Sequence, residues 1–161
     1  MPSHFEYLDS IPKLPDNLIS EVYQCIKGAN LYLVPGSNSY LLKQPGADLL
    51  KNNFDPDLSD YRVFDTTNNI KNFIRNYWPS LTPRIHCIRN YLPLHKDPDR
   101  DIAFNYIIDQ GGDNVKTIFF SDNKTLIDAL TIDKCRWHIL STNIFHGVIN
   151  LKTLRIAITV S

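Results

Sequence analysis

From Thr82 onward the chain is a succession of short apolar runs separated by turn-forming residues. Arg84 to Leu92, Ile102 to Ile108, Val115 to Phe120, Cys135 to Leu140, Ile144 to Ile149 and Leu154 to Val160 read as strands. Asp109-Gln110-Gly111-Gly112-Asp113-Asn114 and Ser121-Asp122-Asn123-Lys124 are turn signals, and Thr125 to Lys134 reads as a less regular connection. Short strands at this density predict a β-sandwich or barrel.

The first half is patterned differently. Met1 to Asn30 opens as a proline-punctuated loop and continues into a short helix. Asp16 is its expected N-cap, Leu18, Ile19, Val22 and Ile26 form its apolar stripe, and Gly28 stops it. Leu31 to Val34 and Ser39 to Leu42 predict a hairpin around Pro35-Gly36-Ser37-Asn38. Gln44 to Asp60 reads as loop with one helical turn, and Tyr61 to Phe64 as a strand. Thr66 or Thr67 caps a helix from Asn68 to Tyr77, with Ile70, Phe73, Ile74 and Tyr77 on one stripe and Pro79 beyond it. Trp78 is expected as a core anchor.

Composition narrows the class. The chain has 161 residues, 43% hydrophobic and 21% charged, which predicts one folded domain over 1–161. Lys+Arg and Asp+Glu both number 17, so no global charge draws the chain to nucleic acid. No apolar run approaches the roughly 20 residues of a membrane span, and Met1 to Glu6 lacks the features of a signal peptide. The three cysteines, Cys25, Cys87 and Cys135, form neither a CxxC motif nor a disulfide framework. Free thiols in a reducing cytoplasm are the expectation.

The candidate chemistry lies in Tyr91-Leu92-Pro93-Leu94-His95-Lys96-Asp97-Pro98, answered by Asn143-Ile144-Phe145-His146-Gly147-Val148. His95 and Asp97 stand two apart, so extended backbone sends both side chains to one face. An imidazole and a carboxylate side by side, joined by His146 from another strand, make a two-histidine, one-carboxylate triangle. That arrangement leaves half a coordination sphere open and is expected of non-haem Fe(II) oxygenases. His-x-Asp alone is weak, since His4-Phe5-Glu6 has a similar spacing at the terminus. Arg155 begins an apolar strand, where a charge calls for an anionic partner. His86 and His138 are expected as strand residues outside the ligand set. A Cys-His nucleophile at His86-Cys87 is disfavoured because strand neighbours face opposite ways. Arg100, close behind the motif, could meet an acidic substrate, as could Arg84, Arg89 and Arg136.

His95-x-Asp97, His146 and Arg155 resemble the Fe(II)- and 2-oxoglutarate-dependent dioxygenases. Pro93 to Pro98, Trp137 to Asn150 and Arg155 to Val160 are similar to the aspartyl/asparaginyl β-hydroxylase and prolyl hydroxylase branches. The resemblance covers about Arg84 to Ser161. It implies a mainly β fold, a double-stranded β-helix of jelly-roll or cupin-like form with an N-terminal helical support. It also implies Fe(II) on His95, Asp97 and His146, with Arg155 clasping 2-oxoglutarate. O2 would be the oxidant, and succinate and CO2 the by-products of hydroxylating a protein or peptide side chain. A small-molecule substrate is the second possibility, and a non-oxygenase cupin-like metal-binding protein the alternative. One departure stands out. Many relatives carry Ser or Thr two residues after the arginine, where this chain has Ala157. Asn105, Tyr91 or Thr159 would take over that contact, Asn105 foremost because it shares a strand face with Ala103 and Ile107. The last strand ends at Ser161, so a lid is expected from the N-terminal half, Gln110–Asn114 or Thr125–Lys134. Substrate identity and oligomeric state are not legible.

Overall fold

The computed structural model describes residues 4–28, 32–34, 60–97 and 99–161. Two antiparallel sheets make up most of it. The larger takes β1 (Phe5–Tyr7), β2 (Leu33–Val34), β3 (Asp60–Phe64), β4 (Pro83–Arg89), β6 (Ile102–Asp109), β9 (Trp137–Ser141) and β11 (Arg155–Val160). Its strand order is β1-β9-β6-β11-β4-β3-β2. The smaller takes β5 (Leu92–His95), β7 (Lys116–Phe120), β8 (Leu126–Leu130) and β10 (Phe145–Ile149), in the order β5-β10-β7-β8. The fold is mainly β, of the double-stranded β-helix kind. The hairpin expected around Pro35 and the loop before Asp60 lie outside the described residues, apart from Leu33–Val34, which pairs with β3.

The period of two along the larger sheet separates a core face from a cavity face. On β11, Ile156, Ile158 and Val160 join the core, while Arg155, Ala157 and Thr159 line a cavity. On β6, Tyr106 and Ile108 are in the core, and Ala103, Asn105 and Ile107 line the cavity. The core face is covered by α1 (Asp16–Lys27) and α2 (Asn68–Arg75), which bury Leu18, Val22 and Cys25 and Ile70 and Ile74. Removing those side chains from water stabilises the layer by about 2 kcal/mol each. Trp78 is the core anchor its position predicted, its ring 5.0 Å from both Phe104 and Trp137.

Local details differ from the sequence reading, each for a physical reason. Pro15, not Asp16, is the N-cap of α1; its fixed φ of −61° suits the extended cap, and Asp16 becomes the acidic residue of the first turn. Thr67 caps α2, accepting a hydrogen bond from the Ile70 amide, and the helix ends at Arg75, two residues short of Tyr77. The run from Arg84 to Leu92 is broken at Asn90, whose φ of 65° turns the chain from the larger sheet into the smaller. The opening loop contains β1, which pairs with the edge of β9 and sets the Phe5 and Tyr7 rings against His138. The irregular stretch contains β8. Leu126 and Ile127 are both exposed there, so ladder pairing with β7 rather than an alternating apolar face makes it a strand.

Candidate metal centre and its cavity

Two facing strands bring the ligand residues together. β10 and β5 run antiparallel with His146 opposite His95, and their ring centroids lie 4.3 Å apart. Gly147 permits that approach. A Cβ there would sit 2.6 Å from the Leu92 carbonyl oxygen and 3.3 Å from the Leu94 nitrogen.

Both imidazoles are oriented by their own backbones. His95 Nδ1 lies 2.8 Å from the Pro93 carbonyl, and His146 Nδ1 2.8 Å from the Ile144 carbonyl. A carbonyl only accepts, so each Nδ1 donates and each Nε2 is turned toward Asp97. Asp97 Oδ1 faces those nitrogens, 3.4 Å from His95 Nε2 and 3.9 Å from His146 Nε2. Its other oxygen, Oδ2, accepts from Arg100 Nε at 2.6 Å. Burial works against ionisation of Asp97, but the hydrogen bond with His95 and the groups of His146 and Arg100 hold its carboxyl well below the usual range. Among these the guanidinium is the dependable positive charge, because burial lowers His146 to about 3 and keeps it neutral. One ligand atom from each of His95, Asp97 and His146 falls within 4.8 Å of the others, the one such group among the described residues. Two imidazole nitrogens and a carboxylate oxygen converge on one point. That donor set fits a divalent cation, and it fits Fe(II) in the facial arrangement.

The triad opens on a cavity of about 300 Å³ between the sheets. Arg155 lies in its wall, 7% exposed, with Nη2 donating to Thr117 Oγ1 at 3.4 Å. No carboxylate of the described residues pairs with it, and burial alone lowers it to about 10. Of the residues expected to assist it, Asn105 and Thr159 line the cavity, Thr159 Oγ1 donating to Asn105 Oδ1 at 2.6 Å. That bond leaves the Asn105 amide donors for a ligand. Tyr91 is buried but is not among the lining residues.

The cavity also holds residues that the sequence reading set aside. His86 lines it, with Nδ1 2.7 Å from the Tyr61 hydroxyl, and burial lowers it to about 3. Its neighbour Cys87 is in the core on the other face, so the two form no nucleophilic pair. His138 lines the cavity opposite Asn105 and is lowered to about 4, by burial first and then by the charge of Arg155, against the pull of the Arg136 carbonyl. Thr117 and Thr142 complete the polar wall. The available signal was a polar residue flanked by buried apolar neighbours on a strand, as in Ile85-His86-Cys87. His4 lies elsewhere, 3.2 Å from Asp128. All three cysteines are free thiols.

No family model matches the sequence, and no curated protein matches it. Solved structures do. A prolyl hydroxylase from Trichoplax adhaerens, in complex with a hypoxia inducible factor oxygen degradation domain peptide fragment, aligns over 98% of this chain and 82% of its own. The TM-score is 0.60 and the identity 12%. A Pseudomonas putida prolyl-4-hydroxylase aligns over 98% of this chain and 91% of its own, with a TM-score of 0.55 and 12% identity. A 2OG-Fe(II) oxygenase family oxidoreductase from Burkholderia pseudomallei aligns over 63% of this chain at 12% identity and a TM-score of 0.47, and the chain spans 66% of its length. At such identity the likeness establishes the fold: two facing antiparallel sheets of the double-stranded β-helix kind, similar to those of the prolyl hydroxylases.

Proposed function

We propose that the chain is a non-haem Fe(II)- and 2-oxoglutarate-dependent dioxygenase hydroxylating a protein or peptide side chain, prolyl or aspartyl/asparaginyl, with release of succinate and CO2. One observation carries the reading. A cation-seeking triad and a buried guanidinium without a carboxylate partner among the described residues face the same cavity. A metal binder without an anionic cosubstrate has no use for the second feature, whose burial costs several kcal/mol.

In this reading His95, Asp97 and His146 hold Fe(II), and the Nδ1 bonds to Pro93 and Ile144 keep the imidazoles aimed. Arg155 takes the distal carboxylate of 2-oxoglutarate, for which a planar guanidinium fork suits better than an ammonium. Thr117 steadies that fork, and the Asn105–Thr159 pair offers amide donors where Ala157 has none. Bound Fe(II) supplies the activation of O2, coupled to decarboxylation of 2-oxoglutarate and oxygen insertion into a C–H bond. The apolar wall, Ile88, Leu92, Ile107 and Val148 among it, excludes bulk water from that chemistry. A peptide substrate is favoured because the Trichoplax enzyme was solved with one. The chain is read as one domain, 1–161, with 1–80 supporting 81–161, working in the cytoplasm. No helix of the described residues is long and apolar enough to cross a membrane.

The test is anaerobic addition of 2-oxoglutarate to the Fe(II)-loaded protein, watching for the visible charge-transfer band of the chelate, followed by a succinate assay in air. The band is expected in the wild type, lost in His146→Ala and weakened in Arg155→Ala. Bound metal without a band would leave a cupin-like metal binder and end the oxygenase reading.

A further inference from the structure

We propose that Arg100 is a positioning residue that holds Asp97 as a one-oxygen ligand and so keeps the remaining coordination positions open to the cavity. The inference rests on the metal reading above and adds a residue to it. Asp97 has two oxygens with separate tasks. Oδ1 faces both imidazole Nε2 atoms, whereas Oδ2 is committed to Arg100 Nε at 2.6 Å, a charge-assisted bond. A carboxylate free of that bond can turn both oxygens to a cation and occupy one more position.

The arginine is itself anchored. Its carbonyl accepts from Thr142 Oγ1 at 3.0 Å, the Thr142 amide donates to the Asp101 carbonyl at 2.8 Å, and the Asp97 amide donates to the Thr142 carbonyl at 2.9 Å. Thr142 stands four residues before His146. These three bonds therefore tie the backbone on both sides of Arg100 to the approach of β10, linking the carboxylate ligand to the second histidine. The guanidinium lines the cavity and its side chain is 28% exposed, so replacing it leaves no buried hole.

The experiment compares wild type, Arg100→Ala and Arg100→Lys, each loaded with Mn(II), a redox-stable probe. Free-ion electron paramagnetic resonance gives the affinity, and water-proton relaxation counts the waters left on the metal. Wild type is expected to keep three, the complement of a three-atom facial set. Arg100→Ala is expected to bind Mn(II) within a few-fold of wild type, since lost positioning is offset by lost repulsion between guanidinium and cation. Its relaxation enhancement should fall by about a third as the second carboxylate oxygen displaces a water. Arg100→Lys, which keeps a charged donor, should restore most of it. Equal relaxation in wild type and Arg100→Ala would overturn the proposal, as would loss of Mn(II) binding in both variants. A wild type that binds no Mn(II) would overturn the metal reading together with it. Titration of 2-oxoglutarate into the same samples separates the oxygenase reading, because the waters are counted before any cosubstrate is added.

Discussion

The two charged regions of the cavity are built on opposite principles. At the triad, every group is held: each imidazole by a backbone carbonyl, one carboxylate oxygen by Arg100 and the loop by Thr142. At Arg155, a buried guanidinium has, among the described residues, one long hydrogen bond, to Thr117, and no carboxylate partner. The first region is held in place by the protein's own groups. In the proposed reading, the second is completed by an anion. The difference teaches where each ligand of the proposed reaction would act: a dicarboxylate would offset the burial of Arg155, and a metal alone would not.

Arg155→Met tests that contrast most sharply. In the ligand-free protein it is expected to raise unfolding stability by about 1–3 kcal/mol, since an unpaired buried charge gives way to an apolar chain of similar length. The same change should weaken 2-oxoglutarate binding about 100-fold, through loss of two charge-assisted hydrogen bonds. Urea denaturation and calorimetric titration read the two effects, and a destabilised variant would show that the guanidinium is satisfied after all.

Acid is the next lever, and it acts on both regions. His86, His138 and His146 are kept neutral at about 3, 4 and 3, chiefly by burial. Their folded values lie below the unfolded value near 6.5. Between the two the unfolded chain binds protons that the folded chain refuses, so stability falls as pH drops below about 6.5 and keeps falling toward the folded values. The expected slope in metal-free protein is about 1 kcal/mol per histidine per pH unit, measured by urea denaturation at several pH values. Bound metal should add stability without removing the slope due to His146, because the ligated folded chain still refuses that proton.

A smaller effect is expected from Gly147→Ala. The added Cβ would meet the Leu92 carbonyl oxygen at 2.6 Å, pushing β10 from β5 and parting the two histidines. A loss of about 2 kcal/mol in stability is expected, with weaker metal binding and unchanged chemistry at Arg155. Weakest of all is Asp122→Ala. It removes the exposed partner of Lys96, which sits between His95 and Asp97 and stacks on Phe145, and should cost less than about 0.5 kcal/mol.

The sequence by itself determined the β class, both described helices and the group of His95, Asp97, His146 and Arg155. Those signals are local: a two-residue spacing, an apolar stripe at helical period, a charge heading an apolar strand. Tertiary structure decided the rest. β1 and β8 are edge strands, made by ladder pairing more than by their own side-chain pattern. His86, Tyr61, His138 and Thr117 enter the site through pairings such as Ala157 with His86 and Asn105 with His138. Arg100 could be seen near the motif, but its bond to one oxygen of Asp97 could not. Side-chain alternation is fixed within a strand, whereas the face that becomes a cavity depends on which strands, far apart in the chain, lie side by side.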